Sequence, residues 1–219
     1  MGRLSATGAR MTPDAIEALF TRADGTFHFA RWTRPIVPVV FGVEDRTLVT
    51  VKGAIEAVTA LAGHKMAETD PELGVNLMIF FFRDWAELPE VPDLDRLIPG
   101  LDDLVARLQA ADANQYRVFR FEPDGAIRAA FVFLRMDKEL GKVSAETLSL
   151  SQIVQTILMW SDTAFRDRSP LAVAEGHTIL QPDIADLIRA AYDPVLPAMS
   201  QDPALALRLS ARIAQMRPA

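Results

Sequence analysis

One segment limits the architecture more than any other. From Ala145 to Trp160, the apolar residues Leu148, Leu150, Ile153, Val154, Ile157, Leu158 and Trp160 occupy most of a helix's circumference, and Ser144 stands where an N-cap belongs. A helix lying on a domain needs one apolar stripe. A helix apolar on nearly all sides runs through the middle, so other layers must wrap around this one. Its polar residues Ser151, Gln152, Gln155 and Thr156 share a stripe, followed by Ser161-Asp162. Burying an unpartnered amide costs about 1–3 kcal/mol. The stripe therefore either faces a cleft or bonds sheet backbone or buried water.

The surrounding elements follow from turn and cap residues. Thr12-Pro13-Asp14 opens a first helix with Ile16, Leu19 and Phe20 inward. Asp24-Gly25 turns the chain into a strand over Thr26–Trp32, and Ile36–Phe41 forms the next. Pro35 and Pro38 cannot donate to a ladder, which places one side of that strand at an edge or bulge. Arg46–Ala62 repeats apolar residues at helical spacing and ends at Gly63, a C′ glycine. Val75–Phe82 is too apolar for a wet face and reads as a central strand. Tyr116–Phe121 and Ile127–Leu134 flank Glu122-Pro123-Asp124-Gly125-Ala126, an antiparallel hairpin. Helices over Asp183–Tyr192 and from Asp202-Pro203 to about Met216 close the chain. Together these give one α+β domain over residues 1–219, a mixed sheet covered by helices.

Between the third strand and the hairpin, Asp84–Asp112 holds eight acids and two bases, which accounts for the whole net charge of −6. It reads as a solvated helical insertion or, more sharply, as an acidic face for a partner. An acidic chain with pI near 5.1 repels phosphates, so nucleic acid is not expected as a ligand. No apolar run approaches the roughly 18 residues of a membrane span. Met1–Arg10 lacks the apolar stretch of a signal peptide, so the chain as written reads as cytoplasmic, or as exported if a signal lies upstream.

Without cysteine there is no disulfide, thiolate metal site or cysteine nucleophile. Glycine-rich nucleotide loops and a nucleophile elbow are missing too. The histidines His28, His64 and His177 lie more than thirty residues apart, unlike the close pairs that bind zinc. Glu175-Gly176-His177 is the single close acid–His pair, compatible with a general base or with an ordinary loop histidine. No cofactor and no metal are expected.

Several segments resemble one protein family. They are Arg31-Trp32 and Pro35-Ile36, Leu61-Ala62-Gly63-His64-Lys65-Met66, Asn76-Leu77-Met78-Ile79-Phe80, Gln155 and Asp162, and Asp183 to Pro194 followed by Pro197-Ala198-Met199. Their order and spacing, over roughly Phe27 to Ala204, resemble a family of mostly exported proteobacterial proteins, a domain of unknown function with a zincin-like fold. The resemblance implies a zincin-like core over residues 12–204, with the acidic insertion at 84–112 and a C-terminal helix over 203–219. That family is in turn similar to metzincin-type metallopeptidases, whose His-Glu-x-x-His-x-x-Gly-x-x-His motif binds zinc on the central helix. Laid on this helix, the motif puts Ser151 and Gln152 at the first His and the Glu, Gln155 at the second His, Leu158 at the Gly and Ser161 at the third His. The family commonly has a Glu-Glu pair at Ser151-Gln152 and Gly at Leu158, and this chain departs at all three. A hydroxyl and two amides are poor zinc ligands, and an amide cannot serve as a general base toward water.

The expected function is a catalytically inactive, peptide- or protein-binding module with a peptidase-like cleft. Ser151, Gln152, Gln155, Asp162 and His177 are its candidate lining residues, and Ile127–Leu134 is the edge strand that would pair with an extended peptide. Two alternatives stand beside it. One is a hydrolase relocated to His177 or His64. The other is an assembly subunit docking through the acidic insertion or the apolar face of the last helix.

Overall fold

The computed structural model describes residues 11–216. Met1–Arg10, read above for an export signal, and residues 217–219 of the C-terminal span lie outside the described residues. Thr12 caps α1 (Pro13–Phe20), its hydroxyl accepting from the Ala15 amide at 3.2 Å, and Ile16 and Phe20 face inward. The strand expected over Thr26–Trp32 is regular only at β1 (Phe29–Ala30), which pairs antiparallel with β8 (Met199–Ser200).

A four-stranded mixed sheet organises the rest, in the order β2 (Pro38–Phe41), β3 (Leu77–Phe82), β5 (Ile127–Arg135), β4 (Gln115–Phe121). The first three are parallel and β4 returns antiparallel along β5. β2 is an edge, as its prolines imply. β5 is not, which corrects the expectation for Ile127–Leu134: the strand lies between β3 and β4, and the free edge of the hairpin is β4. Gly42 closes β2 at φ +81°, and a Cβ there would clash with the Phe81 carbonyl oxygen, so only glycine fits.

Both faces of the sheet are covered. Ala130, Val132 and Leu134 of β5 join a core with α2 (Asp45–Leu61) and α5 (Ala145–Ile157). Ala129, Phe131 and Phe133 pack instead against a 3-10 turn (Trp85–Glu90), α3 (Leu94–Leu97) and α4 (Leu101–Ala110). The acidic segment is therefore a structural layer as well as a charged surface. It buries Trp85, Leu88, Leu94, Leu101, Leu104 and Leu108 because the phenylalanine face of the sheet needs a cover.

From Thr147 onward no residue of α5 is exposed. The helix stops at Ile157, not Trp160, because Leu158 turns extended and bridges Arg31, and the Met159 amide donates to Ala30 O at 2.9 Å. The carbonyls left open at a helix end need donors. Three aromatic side chains supply them: Trp160 Nε1 to Val154 O (2.8 Å), Trp32 Nε1 to Thr156 O (3.0 Å) and Tyr192 Oη to Ile157 O (2.8 Å).

Downstream, β6 (Leu171–Ala174) and β7 (His177–Leu180) form a hairpin whose two turn residues, Glu175 and Gly176, are both left-handed. α6 (Pro182–Ala191) and α7 (Leu205–Met216) follow. α7 buries Leu205, Leu209 and Ile213 beside α1 and α6, and Arg212 pairs with Asp193. Its apolar face is thus used within the domain. Among the described residues, no helix is long and apolar enough to cross a membrane.

Ahead of β2, Arg34 gathers three carboxylates: Asp70 at 2.8 Å, Glu122 at 2.7 Å and Glu72 at 3.2 Å. Buried Asn76 accepts from the Val37 amide at 2.7 Å and donates to Pro35 O at 2.9 Å, fixing the entry to β3.

Candidate functional site

Strand parity determines what β4 presents. The Arg135 amide donates to Asn114 O, and Gln115 lies opposite Leu134. Alternation then directs the backbone groups of Tyr116, Val118 and Arg120 at β5, and those of Gln115, Arg117 and Phe119 outward. Among the described residues, no strand pairs with that outer side. The same three residues lie opposite Leu134, Val132 and Ala130, so their side chains share the face that meets α5. Backbone edge and side-chain face therefore converge on one place.

Arg117 is the centre of it. Its Nη2 donates to Gln152 Oε1 at 2.5 Å and to Gln115 Oε1 at 3.0 Å, and Gln152 Nε2 donates to Gln115 Oε1 at 2.9 Å. Gln152 is only 2% exposed. The buried amide thus finds its partners in side chains of β4 rather than in sheet backbone. Among the described residues, Arg117 Nε is shielded without a hydrogen-bond partner and no carboxylate pairs with the guanidinium. Burial without a compensating anion pushes its pKa down to about 10, so it stays charged at neutral pH.

Above this cluster, Arg22, Arg117, Gln155, Trp160, Asp162 and Phe165 line a cavity of about 520 Å³. Gln155 donates to Ser151 Oγ at 2.9 Å. Asp162 accepts from the Ala23 amide at 2.9 Å and stands 3.6 Å from Arg166. Phe165 holds a left-handed φ of +64° and meets Trp160 edge-on at 4.9 Å. Strain of this kind, about 1 kcal/mol or more, gathers at ligand clamps. A second hollow of about 560 Å³, beside α1, is mainly apolar, and its Arg168 is already bidentate on Asp183.

Of the sequence candidates, Gln155 and Asp162 share the cavity. Gln152 is sealed beneath Arg117, and Ser151 touches the site through Gln155. His177 does not belong to it. It is exposed at the start of β7, and Glu175 beside it is a turn residue, so the acid–His pair is hairpin geometry. Ser161 lies beyond the helix end, its amide donating to Leu19 O and its hydroxyl bonded to Thr163. Arg117 and Arg22 were not among the candidates. The signal for Arg117 was the alternation Gln115, Arg117, Phe119 on one strand face.

The relocated-hydrolase reading needs a histidine joined to an acid. His64 Nε2 bonds Arg34 O at 2.9 Å, and His28 Nε2 is shielded without a partner among the described residues. Burial lowers the pKa of both. Among the described residues, no histidine bonds a carboxylate.

The helix also does not fit the zinc implied by the resemblance. Its donors are a neutral hydroxyl and two amides, one of them committed to Arg117, and a guanidinium in the same cluster repels a dication. Compared with known proteins, the chain matches no family model, no curated protein and no solved structure.

Proposed function

We propose that this chain is a zincin-like scaffold without peptidase chemistry, which binds an extended polypeptide along the outer edge of β4. The observation that carries this reading is the coincidence of a strand edge unpaired among the described residues with a cavity that holds Arg117, Gln155 and Asp162 among aromatic side chains. Gln115, Arg117 and Phe119 direct N–H and C=O groups outward from the strand that walls the hollow of Gln155 and Asp162. An added strand takes its affinity from such main-chain bonds and its specificity from pockets for alternate side chains.

Peptide arrays of extended sequences supply the test. A bound peptide should lose affinity when every second backbone nitrogen is methylated and keep it when only the intervening nitrogens are, because one set faces β4 and the other does not. Equal tolerance at both sets, or no peptide bound at all, contradicts the reading. Elemental analysis of protein prepared without an affinity tag is expected to find no stoichiometric zinc. A full complement of zinc, removed by Gln155→Ala, contradicts the chemically silent helix.

A further inference from the structure

The cavity beside β4 is acid-poor in an acidic protein. Its wall holds two arginines, Arg22 and Arg117, against one carboxylate, Asp162, which is already engaged by the Ala23 amide and Arg166. Neither Arg22 nor Arg117 makes an ion pair with a described residue, although elsewhere Arg34, Arg128, Arg135, Arg168 and Arg212 all do. Burying a guanidinium without an anion is costly, and folds ordinarily pair it.

The donors of Arg117 are also unevenly spent. A guanidinium has five N–H groups in a planar fork. Both on Nη2 go to the amide oxygens of Gln115 and Gln152, and the one on Nε is shielded without a partner. The two on Nη1 have no partner among the described residues, and that nitrogen, unlike Nε, is not shielded. The amide pair therefore holds the plane of the guanidinium from one side and leaves Nη1 toward open space. Amides fix such a group without neutralising it. A carboxylate in place of Gln152 would have cancelled the charge.

We propose that this cavity takes a carboxylate group, seated on Nη1 of Arg117 with Arg22 in the same wall. The proposal rests on the peptide-binding reading above and names the ligand's chemistry: a polypeptide that carries an acidic side chain or its own C-terminal carboxylate into the hollow. Charge-assisted bonds from a preoriented guanidinium select a planar carboxylate over its neutral amide isostere.

Two measurements on the unmodified protein test it. The first follows the Arg117 Nε–H resonance by NMR as N-acetylglutamate α-amide is added, with N-acetylglutamine α-amide as control, so that the side-chain carboxylate is the one difference. The glutamate compound is expected to move that resonance and the glutamine compound to leave it in place. The second compares three pools of extended peptides: end-capped with a central Glu, end-capped with a central Gln, and the Gln pool with a free C-terminus. At least about tenfold tighter binding is expected for a carboxylate-bearing pool. Preference for the central-Glu pool marks a side chain as the source, and preference for the free C-terminus marks the chain end. Arg117→Gln is expected to equalise the pools, and the NMR result holds even if that variant fails to fold. Equal binding of all pools, with a silent Arg117 resonance, overturns the carboxylate site and leaves the peptide edge standing. A moving resonance with no pool bound keeps the site and overturns the peptide reading. Silence in both experiments overturns both.

Discussion

Gln152→Leu is expected to destabilise the protein by about 3 kcal/mol, whereas Gln152→Glu stabilises it at neutral pH. The leucine fills the volume but removes the 2.5 Å acceptor of Arg117 and the donor to Gln115. A buried charge then loses one of its two amide partners, and losses of that kind run to several kcal/mol. For a chain of this length, the midpoint of thermal unfolding should fall by roughly 10 °C. Glutamate acts oppositely because the desolvation of Arg117 is already incurred, and the countercharge a carboxylate supplies outweighs the lost donor to Gln115, whose amide can turn its nitrogen toward the new oxygen. The guanidinium would hold that new carboxyl below its ordinary value. Its contribution is therefore complete above about pH 5 and lost as pH falls through the depressed folded-state value. Paired thermal melts at neutral and acidic pH measure both effects. A leucine variant as stable as the parent would show that the amide cluster does not hold Arg117.

Asp70→Asn should cost about 2 kcal/mol near neutrality, with the difference closing in acid. Asp70 accepts from Arg34 at 2.8 Å and from the Glu72 and Leu73 amides at 2.9 Å, with its side chain 3% exposed. The Arg34 bond, helped by the two amides, lowers its pKa to about 2. Because the folded value lies below the unfolded one, the stabilisation is present above about pH 4 and disappears as pH falls toward 2. The asparagine variant has no such group to titrate. Melting curves of parent and variant should therefore converge between about pH 4 and pH 2. A constant gap across that range would mean that Asp70 acts through shape rather than charge.

Much of this fold is written locally. Thr12, Ser144 and Gly63 mark helix ends by chemistry confined to a few residues, and each lies where the structure has it. The all-apolar run of β3 marks a strand covered on both faces, as it is. The same rule identifies the edge of the hairpin. β5 is nearly continuous in apolar residues, whereas β4 interleaves Arg117 and Arg120, the charges that edge strands carry. Set beside the apolar run of β5, the alternation in β4 marks β4 as the edge.

Other features were not legible because their causes lie far apart in sequence. α5 carries no stop residue at Ile157. It ends where Trp32 and Tyr192, from opposite ends of the chain, meet its last carbonyls. The polar stripe of that helix was visible, but not its partner. Gln152 acquires its meaning from Arg117, which only the packing of β4 on α5 brings within reach.

Hydrogen exchange along β4, residue by residue, tests the central claim most directly. In the free protein, the amides of Tyr116, Val118 and Arg120 should exchange slowly and those of Gln115, Arg117 and Phe119 quickly. Addition of a bound peptide from the arrays should protect the second set and leave the first unchanged. Protection that ignores this alternation, or outward amides already slow before any peptide is present, would contradict an open strand edge as the binding surface.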